Sequence, residues 1–514
     1  MADREMRFER KMTDAEAMMW NIEHDPRLSS NIGSIIITDR PLDADVMRKR
    51  IAVAVADIPR LRERVAPILG RLSPPVWIPD KEFDLDYHFR RVALPSPGDD
   101  GQLHELCTKL LQEPFDRTRP LWLFVIIDGL AAAEGGSSDE RRGALFSKLH
   151  HTVADGEGAL RLSEHYMDLT RETDPPPDTD LDAVLAKAAE GDEMETSEEF
   201  LPSAIRTASH TVRRLLGVAR RTVGEVALAA ADPQRLAEAA TNLTTAVSSA
   251  RSQLSSGDGT PSGSPVWKNR SRHRWFGVVD VPFEPARAAA KALGGSLNDF
   301  FVTGAALGAV KYHEFVGEEV GFFKATFVVS TRDDRSAGGN SFTPSMVKVP
   351  GSKMDPADRF AHIRDSMGSR RGEVTGGADL MGAVSGLANL LPTSVVTGIA
   401  RSQAGAVDFA TSNVRGAPIE VYVAGGKVLA TYPMGPVAGT AWNITMMSYA
   451  GTLFMGVHVD PAAVEDTDLL MRSLREGFAE LIAAGGQSLE PAAKEPSPNG
   501  EKKKPSTRKT KATS

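Results

Sequence analysis

The sequence predicts an α/β (α+β) protein of two subdomains joined by a long linker and helical region, and three observations carry that expectation. The chain has 514 residues, more than one ordinary hydrophobic core accommodates, so two domains or two fused subdomains are expected. Strand-like and helix-like patterns alternate on both sides of residues 172–265. Within that interval the pattern breaks into an acidic connector, a basic amphipathic stretch and a Gly/Ser-rich linker. The boundaries are therefore 1–171, 172–265, 266–485 and a basic tail, 486–514, expected to be disordered.

Taken in order, Thr13, Asp14, Ala15 and Glu16 form a capping box that opens a short helix carrying Ala17, Met18 and Trp20. Residues 32–38 read as a strand, and 43–57 as a helix stopped by Pro59. Residues 76–78 and 84–94 read as strands and 102–112 as a helix. The stretch 122–127 is almost wholly apolar, as in a strand buried on both faces. A second strand, 144–149, ends at His150, and a helix starts near 157. Residues 171–199 carry three consecutive prolines and many acids, the composition of a mobile or poorly packed connector. From 203 to about 250 the pattern is helical, with Arg206, Arg213, Arg214, Arg220 and Arg221 on one side and apolar residues on the other. Such a face is either solvated or set against an anionic membrane surface. Beyond residue 265 strands are expected at 274–281, 322–330, 406–412, 419–423, 442–449 and 452–459, with helices at 285–293, 296–312 and 461–482.

Composition narrows the classes. A net charge of -8 gives no overall basic field for nucleic acid. The single cysteine, Cys107, makes neither an internal disulfide nor a Cys-rich metal site, and it reads as a small core residue. The first eleven residues are charged and lack an apolar signal region, and the best apolar run, 121–133, is short and broken by Asp128 and Gly129. A cytoplasmic protein that meets membranes only at its surface is expected.

The chemistry concentrates in residues 149–160, LHHTVADGEGAL. Two adjacent histidines, then Asp155 and Gly156 within one tight turn, can hold and expose an imidazole to a substrate. The chain has no Walker A, H-E-x-x-H, Cys pair or G-x-S-x-G. What is left is a histidine that takes a proton from a hydroxyl or amine as it attacks a carbonyl, with no metal or cofactor. The turn carries Asp155 away from His151, which casts it as a buried anchor paired with an arginine. Gly156 supplies the backbone freedom of the turn.

The segment His150 to Gly156 resembles the HHxxxDG motif of acyltransferases with the chloramphenicol acetyltransferase-like fold. Further blocks resemble the bacterial wax ester synthase/diacylglycerol acyltransferase family: Phe83-Asp84 with His88, Arg119 to Trp122, Asn298-Asp299, Ser412-Asn413-Val414, and Ser448-Tyr449 near Asp460. They occur in order between residues 13 and 484. The resemblance implies two similar subdomains, each a mixed sheet with flanking helices, meeting at a solvent tunnel that crosses the histidine loop. It implies acyl-CoA-dependent transfer of a long-chain acyl group to a lipid alcohol, from diacylglycerol to triacylglycerol or from a fatty alcohol to wax ester.

In that scheme His151 is the general base, His150 is mainly structural, and Asp155 holds the loop with Arg332 as its partner. Asn298 is either an oxyanion donor or a helix N-terminal hydrogen-bonding residue, and Ser412 and Asn413 contact substrate. Trp122 is core. Acyl-CoA is a substrate and no cofactor or metal is implied; the further partners are a lipid alcohol and a peripheral membrane or lipid-droplet surface. Two positions depart from the family pattern: Leu123 stands where Glu is usual and Arg415 where Pro is usual. The alternatives are a transferase of the same fold that uses carrier-protein donors or a polyketide or glycolipid acceptor, and a silent lipid-binding member.

Overall fold

A computed structural model of the chain describes residues 9–67, 74–133, 141–154, 156–172, 174–195, 263–330, 342–376 and 393–488. The basic amphipathic stretch with Arg206, Arg213, Arg214, Arg220 and Arg221, the basic tail beyond residue 488, Asp155 and Arg332 lie outside the described residues.

The strands are β1 (Asn31–Thr38), β2 (Glu63–Ala66), β3 (Val76–Pro79), β4 (Phe89–Ala93), β5 (Trp122–Leu130), β6 (Arg142–His150), β7 (Met167–Asp168), β8 (Trp275–Pro282), β9 (Phe322–Ser330), β10 (Phe342–Pro350), β11 (Phe409–Arg415), β12 (Tyr422–Val423), β13 (Gly426–Met434), β14 (Trp442–Tyr449) and β15 (Thr452–Val459). They form a small antiparallel pair, β2 with β3, and two large mixed sheets. One has the order β4-β5-β6-β1-β13-β12-β7 and the other β10-β9-β11-β14-β15-β8. Each sheet has its own apolar core. In the first, Phe124, Ile126, Leu145, Phe146 and Ile35 are buried. In the second, the helix Leu297–Val316 lies against the helix Thr467–Ala484. Gly304 and Gly308 allow that approach, because a Cβ on either would overlap Phe478 or Leu474. Cys107 is fully buried in the helix Asp100–Gln112, and burial pushes its thiol pKa up, as suits a core residue.

Four sequence expectations change. Residues 84–94 are not one strand: Asp84 caps a single helical turn, Leu85–His88, before β4 begins. The acidic connector, expected to be mobile or poorly packed, holds a helix, Leu181–Glu195, and is tied back by Arg171 to Asp39 (2.6 Å) and Lys49 to Asp178 (2.9 Å). The boundary at residue 265 does not separate the sheets cleanly, because β12 and β13 join the first sheet, β13 pairing antiparallel with β1 from Gly33↔Met434 to Thr38↔Val428. Finally, the sequence reading places no strand at Gly426–Met434, where the structure has β13 with Pro433 inside it. Proline is tolerated there: beyond Lys427, β13 has no second neighbour, as β12 pairs only with Gly426 and Lys427.

The crossing strand fastens the halves together. Tyr432 donates its hydroxyl hydrogen to Asp280 of β8 (3.1 Å) and meets Phe454 of β15 edge-on. No helix among the described residues is long and apolar enough to cross a membrane.

Candidate active site

Strand alternation builds the site. Along β6 successive side chains point to opposite faces, so Ser147 and Leu149 face one way with His151, while Lys148 and His150 face the other. The first face is the wall of a largely apolar cavity of about 890 Å³, its open mouth included. Its floor is the first sheet (Ile32, Ser34, Phe124, Ser147, Leu149, Thr431, Pro433), its lid the segment with Leu162, Tyr166 and Met167, and its far wall Ser412, Val414, Thr445 and Met447 of the second sheet. His151 is half-buried on that wall, its backbone N–H donating to the Ser30 carbonyl (3.1 Å).

His150 is 1% exposed and faces a second cavity lined by Trp20, Glu23, Arg27, Phe115, Arg117 and Arg274, among others. The Thr152 amide donates to His150 Nδ1 (3.1 Å), which leaves Nε2–H to donate to the Glu23 carboxylate (2.7 Å). Trp20 meets the ring edge-on. Burial acts to raise the Glu23 carboxyl pKa, but His150, the Ser30 amide and Arg117 together hold it below the ordinary carboxylate value. Glu23 therefore fixes the His150 ring and the turn that follows it. Pro436 borders both cavities, so the histidine pair and the end of β13 stand between two open spaces.

Lys148 is buried beside His150. Its ammonium donates to the carbonyls of Leu110 and Glu113 at the end of the helix Asp100–Gln112, and burial lowers its pKa to about 8. Leu123 lies opposite it across the β5–β6 pair. With an apolar residue there, backbone carbonyls satisfy the lysine, on the face away from His151.

The remaining expected residues divide. Ser412 is on the wall of the His151 cavity; Asn413 and Asn298 are not, and Asn413 donates to the Asn298 side-chain oxygen at 3.5 Å. Neither helix-start role belongs to Asn298: Ser296 is the N-cap and Asp299 completes the capping box. Arg415 ends β11, exposed. Gly156 opens the helix Gly156–Ser163. Trp122 is core, 1% exposed, stacked on His88, and its indole donates to the Leu61 carbonyl (2.7 Å). His88 in turn hydrogen-bonds the Trp122 carbonyl through Nδ1 (2.9 Å), so two separated sequence blocks meet in one packed contact.

Sequence reasoning missed Glu23, Thr152, Met434 to Pro436 and His458. Only Thr152 had a local signal, a hydroxyl two residues after His150. His458 of β15 is buried, and its Nδ1 hydrogen-bonds the Gly435 carbonyl (3.0 Å), which holds the end of β13 between the cavities.

Burial lowers the pKa of both His458 and His88 from 6.5 to about 4. Between those values the unfolded chain binds a proton that the folded chain refuses, so this stability is full above about pH 6.5 and lost as pH falls toward 4. Each histidine should remove about 2 kcal/mol between pH 7 and pH 4.5. Urea unfolding across that window should show a shallower pH dependence in His458→Asn by that amount; an unchanged slope refutes the assignment.

Residues 12–301 match the family model of the wax ester synthase/diacylglycerol acyltransferase catalytic domain, and residues 338–482 match that of its C-terminal domain. A putative diacylglycerol O-acyltransferase of Mycobacterium tuberculosis is 30% identical over 482 residues, 93% of each chain. A probable diacylglycerol O-acyltransferase of the same organism is 27% identical over 474 residues, 89% of this chain and 92% of the other. Among solved structures, the wax ester synthase/diacylglycerol acyltransferase from Marinobacter aquaeolei VT8 superposes with a TM-score of 0.57 at 19% identity, covering 93% of this chain and 100% of that one. The first condensation domain of the calcium-dependent antibiotic synthetase gives 0.53 at 15%, covering 94% and 98%.

Proposed function

This chain belongs to the wax ester synthase/diacylglycerol acyltransferase family, and from that premise we propose that it moves a long-chain acyl group from acyl-CoA to the hydroxyl of a lipid alcohol, with His151 as general base. Acyl transfer to a lipid alcohol is the family's activity, and both family domains are present in order. The observation that carries the role of His151 is its place on an apolar wall while its neighbour His150 is buried and tied to Glu23.

The steps need only an imidazole. His151 takes the proton of the acceptor hydroxyl, and the oxygen attacks the thioester carbonyl carbon. The tetrahedral intermediate collapses with cleavage of the C–S bond, and the imidazolium returns the proton to the leaving thiolate, giving ester and free CoA. The cavity's apolar lining, with Ile32, Phe124 and Leu149, suits a hydrocarbon chain. Diacylglycerol and long-chain alcohols are the proposed acceptors, met at a membrane or lipid-droplet surface.

The test is release of CoA thiol from palmitoyl-CoA by purified protein, with diacylglycerol or hexadecanol as acceptor in sedimentable anionic vesicles. Thiol release that depends on the alcohol, by protein that sediments with the vesicles, is expected. Release with neither alcohol refutes the reaction, and active protein left in the supernatant refutes the surface location.

A further inference from the structure

The cavity on the His150 side has a charge pattern that a neutral alcohol does not call for. Arg27, Arg117, Arg272 and Arg274 line it, against the single acid Glu23. Glu23 is committed to His150 and the Ser30 amide, with Arg117 at 3.8 Å. Arg274 is matched by Asp460 at 3.4 Å. Arg27 and Arg272 have no acidic partner among the described residues.

Arg27 is also held in place. It sits in the short helical turn Pro26–Leu28, whose capping residue Asp25 accepts from the Arg27 amide and from Arg401. Its Nε is buried without a hydrogen-bond partner among the described residues. Arg274 lies near enough to feel it: burial and then the charge of Arg27 both lower the Arg274 pKa, against Asp460. Fixed like charges beside an open space, with Glu23 and Asp460 already engaged, favour an anion between them. The planar guanidinium fork matches phosphate oxygens in particular.

We propose that Arg27 and Arg272, with Arg274 behind them, form a phosphate-ester subsite at the mouth of this cavity. The charged end of a substrate rests there while its apolar part runs along Trp20 and Phe115 toward the histidine pair. Two substrates carry that chemistry, the nucleotide end of the thioester donor and a phospholipid headgroup. The proposal rests on His151 being the transfer centre, since that decides what this mouth serves.

The test is calorimetric binding of three probes to the full chain: desulfo-CoA, which has no thiol to acylate, dioctanoyl phosphatidate, and uncharged dioctanoylglycerol. The Arg27→Gln/Arg272→Gln double variant is compared with wild type, alongside Arg272→Gln alone, a change at an exposed position that leaves packing intact. At least one phosphate-bearing probe should lose about tenfold or more in affinity, with a smaller loss in the single variant, while dioctanoylglycerol binds as before. Loss for desulfo-CoA alone assigns the subsite to the donor, loss for phosphatidate alone to a headgroup, and loss for both to the shared chemistry. Unchanged affinity for both phosphate probes overturns the proposal, as does an equal loss for dioctanoylglycerol. Selectivity kept in His151→Ala, whatever the thiol-release result, separates this subsite from the reaction itself.

Discussion

His151→Ala is expected to lower alcohol-dependent thiol release by about 10³-fold, the middle of the range for loss of a general base, while its thermal unfolding should stay close to that of the unmodified protein. His151 is half-buried at a cavity wall, so truncation removes little packing. His150→Ala has the opposite signature. That ring is 1% exposed, contacts Trp20 and accepts from Thr152 while donating to Glu23. Its removal leaves a void beside Trp20 and takes one of the hydrogen bonds that hold the largely buried Glu23 carboxylate, at a cost of about 2–3 kcal/mol. Calorimetric unfolding of the two variants, with the thiol assay beside it, checks both halves. A His151→Ala enzyme within tenfold of wild type ends the general-base assignment, and equal losses of Tm end the division of labour between the two rings.

The second large effect lies where the halves meet. Gly456→Ala is expected to remove about 3 kcal/mol or more, roughly 3 °C in Tm for a chain of this length unfolding as one unit, and to disturb catalysis as well. A Cβ at Gly456 would stand 1.9 Å from the Pro433 carbonyl oxygen and 2.8 Å from Phe276. Neither the carbonyl nor the packed ring can swing aside, so β13 and β15 must separate. Pro433 lines the His151 cavity and Pro436 borders both cavities, so the strain reaches the site directly. Gly368, exposed in the helix Pro356–Gly376 with open space where a Cβ would go, is the control, and there alanine is neutral or stabilising. Similar Tm shifts for the two substitutions would remove the case for a close-packed seam.

The strands that carry the site were legible because their signals are local. An unbroken apolar run marks β5, and β6 runs into His150 with one residue of error at its end. The two-sheet architecture was what the family resemblance implied. The helix Leu181–Glu195 was hidden by the acids and prolines around it, since composition measures average solvation and not the particular pairs, Lys49 with Asp178 or Arg171 with Asp39, that tie a segment down.

The sequence by itself determined which imidazoles could act, because two adjacent residues at a strand end must point to opposite faces, so that only one of them can look into a given cavity. It could not choose the face. Tertiary structure made that choice by placing Glu23, 127 residues before His150, where it grips one ring, and by carrying β13 from the second half into the first sheet to stand beside the pair. Both are contacts between segments far apart in the chain. Periodicity and composition describe neighbours along the backbone, whereas the burial of His150 and its tie to Glu23 are set by what packs across from it.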